Sequence, residues 1–537
     1  MKLVFSLLLA AVLLAQNPQT PVISVTTRLV EVNVIVRDHK GPVEGLTKGD
    51  FTVFDKGKQQ TIDFFSVSST HVPLKPPPPL PPNVFTNIPE RRAESPTSAS
   101  VVLLDYLNTP AFDQPYARAQ LAKFIKAMRP EDRVAVYVLG RKLVVLSDFT
   151  ADGKKLLDTV EKYGVHASAA DDADPAANDG GDTSNLIQSI LTDAGGPYAE
   201  YANMVSGETT VAGLNAIANH LGHLPGRKNL IWVTSRIPLR IDMALHLGRQ
   251  QTNDRNLLGE ETFRAVKALN DANIAVYPVD ARGLVGVPKS LTAANGPVTR
   301  AQASRGLSVS SMPVTVNHDA MIGVAQATGG VPFYNTNDIR GAIRKAVDDS
   351  EVTYTLAFHP DSAGFDSTFH EIKVAVNRKG IDLRYRAGYM AAPENTLSDK
   401  QRAEEIRDAL WSPLEASSIG LAAHVDPVDE PRPGSLRVTL AITASDLVLH
   451  PKDGKWTGMI DYVVAQRSAD GRLLNRTPQG LNLDLEQARY QAMLAEGITI
   501  TKTVEPVRGA TEIRIVLLDR TSGKVGSVIV PLRDVVK

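Results

Sequence analysis

Between residues 100 and 350, short apolar runs alternate with stretches whose apolar residues recur every three or four positions. The runs at 101–104, 133–139, 143–146, 229–233, 274–279 and 331–334 are apolar almost throughout. A strand that is apolar on both faces must be covered on both faces. The intervening stretches carry the covers. Tyr116, Ala119, Leu121, Phe124, Ile125 and Met128 fall mostly on one helical face, as do Val211, Leu214, Ile217, Ala218 and Leu221. Phe263, Val266 and Leu269, then Met321, Val324 and Ala325, and finally 339–347 repeat the pattern. Such alternation predicts an α/β fold: a doubly wound, mostly parallel sheet with helices on both sides, over 97–349.

The first of these strands, Ser100-Val-Val-Leu-Leu-Asp105-Tyr-Leu-Asn-Thr109, delivers a carboxylate to the end of the sheet. Open α/β sheets bind ligands at the carboxyl ends of their strands. Asp105, with Asn108 and Thr109 in the turn behind it, therefore heads the candidate site residues. The stretch 165–205 holds Asp171, Asp172, Asp174, Asp179 and Asp182 among Ala and Gly, and reads as a solvated acidic insertion.

The flanks change period. Val30, Val32, Val34 and Val36 alternate with polar residues, and Asp55-Lys-Gly57 is a hairpin turn between two further β-rich runs. This makes 22–68 an N-terminal β segment. Strands return at 353–358, 369–376 and 383–389. Each set is too small to bury a core alone, so 22–68 is expected to pair with 350–391 as one β-sandwich, with the α/β unit inserted. The stretch 69–96, with Pro76 to Pro79 and Pro81-Pro82, reads as a stiff Pro-rich linker. Ser398 is a natural N-cap for a linker helix over 398–412. The remainder, 413–537, alternates strands with Pro, Gly and Asp turns and reads as a C-terminal all-β sandwich.

Met1-Lys2 precedes an apolar run from Leu3 to Ala15 broken only by Ser6, as in a secretory signal peptide over 1–15. The run falls short of the roughly 20 residues that span a bilayer, and no later segment forms a transmembrane span. The chain of 537 residues has no cysteine, which excludes thiolate chemistry and favours a bacterial exported protein, periplasmic or secreted, over a disulfide-bonded one. A net charge of −1 offers no pull toward nucleic acid.

Asp105 after its strand, Asp132-Arg-Val-Ala-Val-Tyr137, Gly226-Arg-Lys-Asn-Leu-Ile-Trp-Val-Thr234, Ala272-Asn-Ile-Ala-Val-Tyr-Pro-Val-Asp280 and Ala327-Thr-Gly-Gly330 occur in that order. In this the chain resembles the von Willebrand factor A domain family, in particular the exported acidobacterial proteins with von Willebrand A-related domains. The resemblance covers roughly 22–391. It implies a Rossmann-like sheet and a metal-ion-dependent adhesion site, in which carboxylates and hydroxyls hold a hard cation and leave one position open. Asp105 matches the first aspartate and Thr109 the second hydroxyl. Leu107 stands where the first serine belongs and cannot ligate. In Ser206-Gly-Glu-Thr-Thr210 either Glu208 or Thr209 falls at the threonine position. Ser235 stands in place of the second aspartate, and Arg236 beside it brings positive charge toward the same rim.

One ligand and one carboxylate are thus missing, which argues against a tight cation. A weak Mg or Ca site on Asp105, Thr109 and Glu208 is the open alternative, and no other cofactor is implied. The expected ligand-binding rim is Asp105, Asn108, Thr109, Thr209 and Ser235. No Gly-x-Ser-x-Gly elbow, Walker loop or His-Glu-x-x-His occurs. The expectation is therefore a non-enzymatic binding or adhesion-type protein with a degenerate metal site and a protein or cell-envelope ligand. A hydrolase with an unrecognised active site and a structural envelope component are the alternatives.

Overall fold

The computed structural model describes residues 29–69, 79–91, 99–173, 197–224, 226–239, 259–284, 314–360, 368–391, 397–428 and 434–535. The expected signal peptide 1–15 and the middle of the acidic insertion lie outside these. The insertion's described ends, within 165–173 and 197–205, continue two long helices.

Among the described residues the central unit holds five strands: β1 (Ala99–Asp105), β2 (Val134–Leu139), β3 (Leu143–Thr150), β4 (Lys228–Thr234) and β5 (Ile274–Asp280). Their order across the sheet is β5-β4-β1-β2-β3. All neighbours are parallel except β2 and β3, which form an antiparallel edge. Every residue of β1, β2, β4 and β5 is buried, as apolar runs covered on both faces require. Helices α1 (Gln114–Ile125), α2 (Gly153–Ala173), α3 (Pro197–Leu221), α4 (Gly259–Asp271), α5 (Val314–Thr328) and α6 (Ile339–Asp348) supply the covers. Val101 and Leu103 of β1 pack with Leu214, Ile217, Leu269 and Met321 on one face. Val102 and Leu104 pack with Leu121, Phe124, Leu156 and Ile343 on the other. The run at 331–334 does not form a sixth strand. It makes a single parallel bridge, Phe333 to Val279. Pro332 has no N–H to extend a ladder.

Strand Val30–Asp38 pairs antiparallel with Val352–Phe358, which pairs in turn with Phe64–Ser69. The opposing sheet joins Phe51–Asp55 to Phe369–Val376. Val30, Val32, Val34, Val36, Phe51, Val53, Tyr354 and Phe358 share one core between the two sheets. Strands from both sides of the central unit therefore build one sandwich.

Two boundaries need correction. The stretch expected as a linker at 69–96 contains a strand, Val84–Thr86, which pairs with Ala422 to His424 at the edge of a C-terminal sheet. Phe85 packs against that unit's core, an apolar contact that a polyproline context hid. The expected linker helix 398–412 is α7 (Asp399–Trp411), capped by Ser398 as the sequence suggests. It is not a linker: Ala409 and Leu410 share a core with Val463, Ala465, Val516 and Leu518 of the C-terminal unit. That unit is a pair of antiparallel sheets, but not purely β, because α8 (Gln487–Glu496) follows a long hairpin. Tyr490 of α8 stacks on Trp456 at 4.2 Å. The whole is a mixed α/β protein with β-rich units on either side of the central sheet.

Candidate functional site

Asp105 is the last residue of β1 and is 1% exposed. Its carboxylate turns the chain: the backbone N–H of Asn108, three residues on, donates to Oδ1 at 3.0 Å. The Asn108 side-chain amide then donates to both oxygens, at 3.1 and 2.9 Å. From the adjacent strand β4, the Trp232 indole and the Thr234 hydroxyl each donate to Oδ2 at 2.9 Å. Trp232 and Thr234 are two residues apart and so face the same side of the sheet. A carboxylate offers about four lone-pair sites, and Asp105 receives five N–H or O–H contacts. Burial raises its pKa, while the donors from Asn108, Trp232 and Thr234 oppose that rise.

Asn108 passes the network outward. Its amide also donates to Thr210 Oγ1 at 3.0 Å, and its Oδ1 accepts from Ser206 Oγ at 3.1 Å. Ser206 and Thr210 are one turn apart on α3, and the Thr210 hydroxyl donates to the Ser206 carbonyl at 2.7 Å. Arg236, just past β4, reaches into the same cluster. Its guanidinium donates to Ser206 Oγ at 3.1 Å, to Asn108 Oδ1 at 3.4 Å and, by a close contact, to Asn203 Oδ1. Burial lowers the Arg236 pKa, and the charge of Asp105 opposes that shift.

Thr109 and Ser235 lie beside this cluster. The Ser235 N–H donates to Thr109 Oγ1 at 3.1 Å, and its hydroxyl donates to Asp113 Oδ2 at 3.4 Å. Asn317 of α5 fixes the loop by donating to the Ser235 carbonyl and accepting from the Ile237 N–H. Asp280, at the end of β5, is held by three nitrogens of Arg282, and His318 Nε2 sits 3.4 Å from its Oδ2.

Asp105, Asn108, Thr109 and Ser235 thus come together as expected from the sequence, but all four are buried. They form the floor of the rim rather than its contact surface. Phe112 at 80% exposure, Tyr201 at 64% and Leu284 at 63% stand out in solvent from segments that border it. The alternative weak metal set, Asp105, Thr109 and Glu208, is not assembled. Glu208 is exposed, and the Thr209 hydroxyl donates to the Val205 carbonyl of its own helix. The residue at the site is Thr210. The sequence carried the signal for this: Ser206 and Thr210 continue the buried stripe Leu214, Ile217, Leu221 at helical spacing, and Glu208 and Thr209 do not. Trp232 and Thr234 carry no such signal, because they lie inside an apolar strand.

A hard cation needs free lone pairs, whereas Asp105 faces donors on both oxygens and Thr109 accepts from a backbone N–H. These residues do not fit Mg or Ca.

No family model matches the chain, and no curated protein matches it. Several solved structures resemble parts of it. One is an aerotolerance-related membrane protein from Bacteroides fragilis with multiple mutations to serine, at 15% identity over 47% of this chain and 98% of that one, with a TM-score of 0.24. Another is proximal thread matrix protein 1 of the mussel byssus, at 9% identity over 48% of this chain and 46% of that one, TM-score 0.22. A third is the pilus adhesin SpaC from Lactobacillus rhamnosus GG, at 8% identity over 80% of this chain and 54% of that one, TM-score 0.25. Scores this low carry no argument about what the chain does.

Proposed function

We propose that this is an exported bacterial binding protein, periplasmic or secreted and not an enzyme. Its central unit is a von Willebrand A-type domain that grips a protein or cell-envelope ligand at the carboxyl rim of its sheet. The strand order with one antiparallel edge, and an aspartate ending the first strand, support the domain type. The observation that carries the function is the contrast at the rim. A polar floor is saturated internally, while the large side chains of Phe112, Tyr201 and Leu284, on segments that border it, remain in solvent and are available to a partner. The Ser235 hydroxyl meets the Asp113 carboxylate rather than an imidazole, so it is not set up as a hydrolase nucleophile.

Binding of the purified chain to solubilised envelope from the parent bacterium tests this reading. Wild type is compared with the Phe112→Ser, Leu284→Ser double variant, in chelator and in millimolar magnesium. The expected result is capture that the double variant loses and that chelator leaves unchanged. Equal capture by both chains would remove the rim from the reading.

A further inference from the structure

The rim cluster holds a buried anion, Asp105, and a mostly covered cation, Arg236, which share Asn108 rather than meeting directly. Every described contact of the Arg236 guanidinium is to a neutral oxygen: Asn108 Oδ1, Asn203 Oδ1 and Ser206 Oγ. Those three oxygens come from the β1–α1 turn and from α3, two elements that Asn108 also joins directly through Thr210 and Ser206. A hard, multidentate cation that gathers oxygens from separate loops is normally a metal ion. Here the gathering group is a side chain whose planar fork presents five N–H donors.

We infer that Arg236 is a tethered cation: its guanidinium takes the structural place of a divalent metal, drawing the Asp105 turn and the amino-terminal half of α3 together and balancing the Asp105 charge through Asn108. Three features agree with this. The oxygens that would ligate a metal are turned to N–H and O–H donors instead. A guanidinium is less strongly hydrated than an ammonium and tolerates such cover. The segment after β4 that carries Arg236 is itself pinned by Asn317 on both sides, from the Ile237 N–H and to the Ser235 carbonyl, so the tether is short and fixed. The rim is then permanently assembled, independent of the ionic content of its surroundings. This concerns how the rim is held, so it stands or falls apart from whether a partner docks there.

The test uses the full chain and its thermal unfolding transition. Arg236→Ala should lower the midpoint by about 5 °C. Millimolar methylguanidinium should recover a large part of that loss, while methylammonium, magnesium and calcium at equal concentration should not. Wild type should show no shift with either metal or with chelator. Asp105→Asn should cost less in the Arg236→Ala background than in wild type, because the two charges compensate one another. If the alanine variant does not fold, Arg236→Lys carries the same titrations, since an ammonium keeps the charge but not the fork. The inference is overturned if magnesium or calcium stabilises wild type in a manner lost in Asp105→Asn. It is also overturned if the metals rescue as well as methylguanidinium, or if Asp105→Asn costs the same in both backgrounds.

Discussion

The two ends of the central sheet treat their buried carboxylates differently. At the amino-terminal end, acids are answered by arginines from other parts of the chain. Asp349, behind α6, accepts from Arg384 at 2.6 Å and Arg37 at 3.3 Å, both in the sandwich, and from the Tyr277 hydroxyl at 3.2 Å. Burial pushes that hydroxyl up to about 12, so it remains a donor. Asp132 takes a bidentate fork from Arg344 at 2.6 and 2.9 Å. Asn273 donates to Glu31 and accepts from Asn33 of the sandwich. The far end of α3 joins the C-terminal unit here too, through Ser417 bonded to the Asn219 and His220 carbonyls. At the carboxyl end the partners are local: Asp105 is answered by neutral donors and, one step removed, by Arg236 of the same unit, and Asp280 by Arg282 two residues on. The lesson is one of division of labour. The amino end is a joint that spends its polar groups on the neighbouring units, and the carboxyl end is self-contained and faces outward.

The largest expected effect is at the joint. Asp349→Ala leaves Arg37, Arg384 and the buried Tyr277 hydroxyl without their shared acceptor. Breaking a buried ion pair by removing one partner typically costs 3–5 kcal/mol, and the two arginines here keep partial access to water, so about 3 kcal/mol is expected. A lowered denaturant midpoint in equilibrium unfolding checks it, and a loss no larger than at the rim would undo the comparison. Next comes the contact between α7 and the central unit, where Glu405 lies close to Arg264. Burial, helped by the charge of Asp408 and opposed by Arg264, lifts the Glu405 carboxyl from 4.5 to about 7. A folded-state pKa above the unfolded one means that stability is lost as pH rises from about 4.5 through 7. Glu405→Gln should therefore stabilise the protein by about 2 kcal/mol at pH 8 and leave it unchanged near pH 4. Unfolding curves at the two pH values give the difference directly.

At the rim the expected effect is smaller. Trp232→Phe keeps a buried ring and removes one of four donor groups to Asp105, at a cost of about 1–1.5 kcal/mol. Unfolding free energy measured beside Asp349→Ala ranks the two ends. A cost above that of the joint variant would mean that the rim is the less redundant network.

Much of this was legible in residues read singly. The apolar runs placed four of the buried strands because a doubly covered strand has no other composition available. Asp105, Asn108, Thr109 and Ser235 are legible as one cluster because strand ends of an α/β sheet converge in space. What the chain hid has physical causes. Alignment to a metal motif favours Glu208 or Thr209, whereas helical phase favours Thr210. Trp232 gives no signal of its role, because an indole's one polar atom does not show in an apolar pattern. Phe85 sits among prolines and asparagines, and only its long-range partner, a strand more than three hundred residues on, makes it β. Arg37 and Arg384 could not be matched to Asp349 by spacing at all, since the joint is made by the insertion itself.

The smallest expected effect on stability is also the sharpest test of the contrast. Phe112 and Leu284 have most of their surface in solvent, so replacing both with serine removes little buried area and should change the unfolding free energy by less than about 0.5 kcal/mol. Binding should respond in the opposite proportion. If the rim is the outward-facing end, these two side chains contribute apolar area to the complex that the free protein leaves exposed, at roughly 25 cal/mol per Å² covered. Truncating both should weaken capture at least tenfold, a difference of about 1.4 kcal/mol. Asp349→Ala should do the reverse under conditions where it remains folded, losing stability while keeping capture. A double dissociation of this kind, read by unfolding and binding on the same preparations, separates the joint from the working face. A rim variant that loses stability as well as binding would show instead that Phe112 and Leu284 are covered within the protein itself.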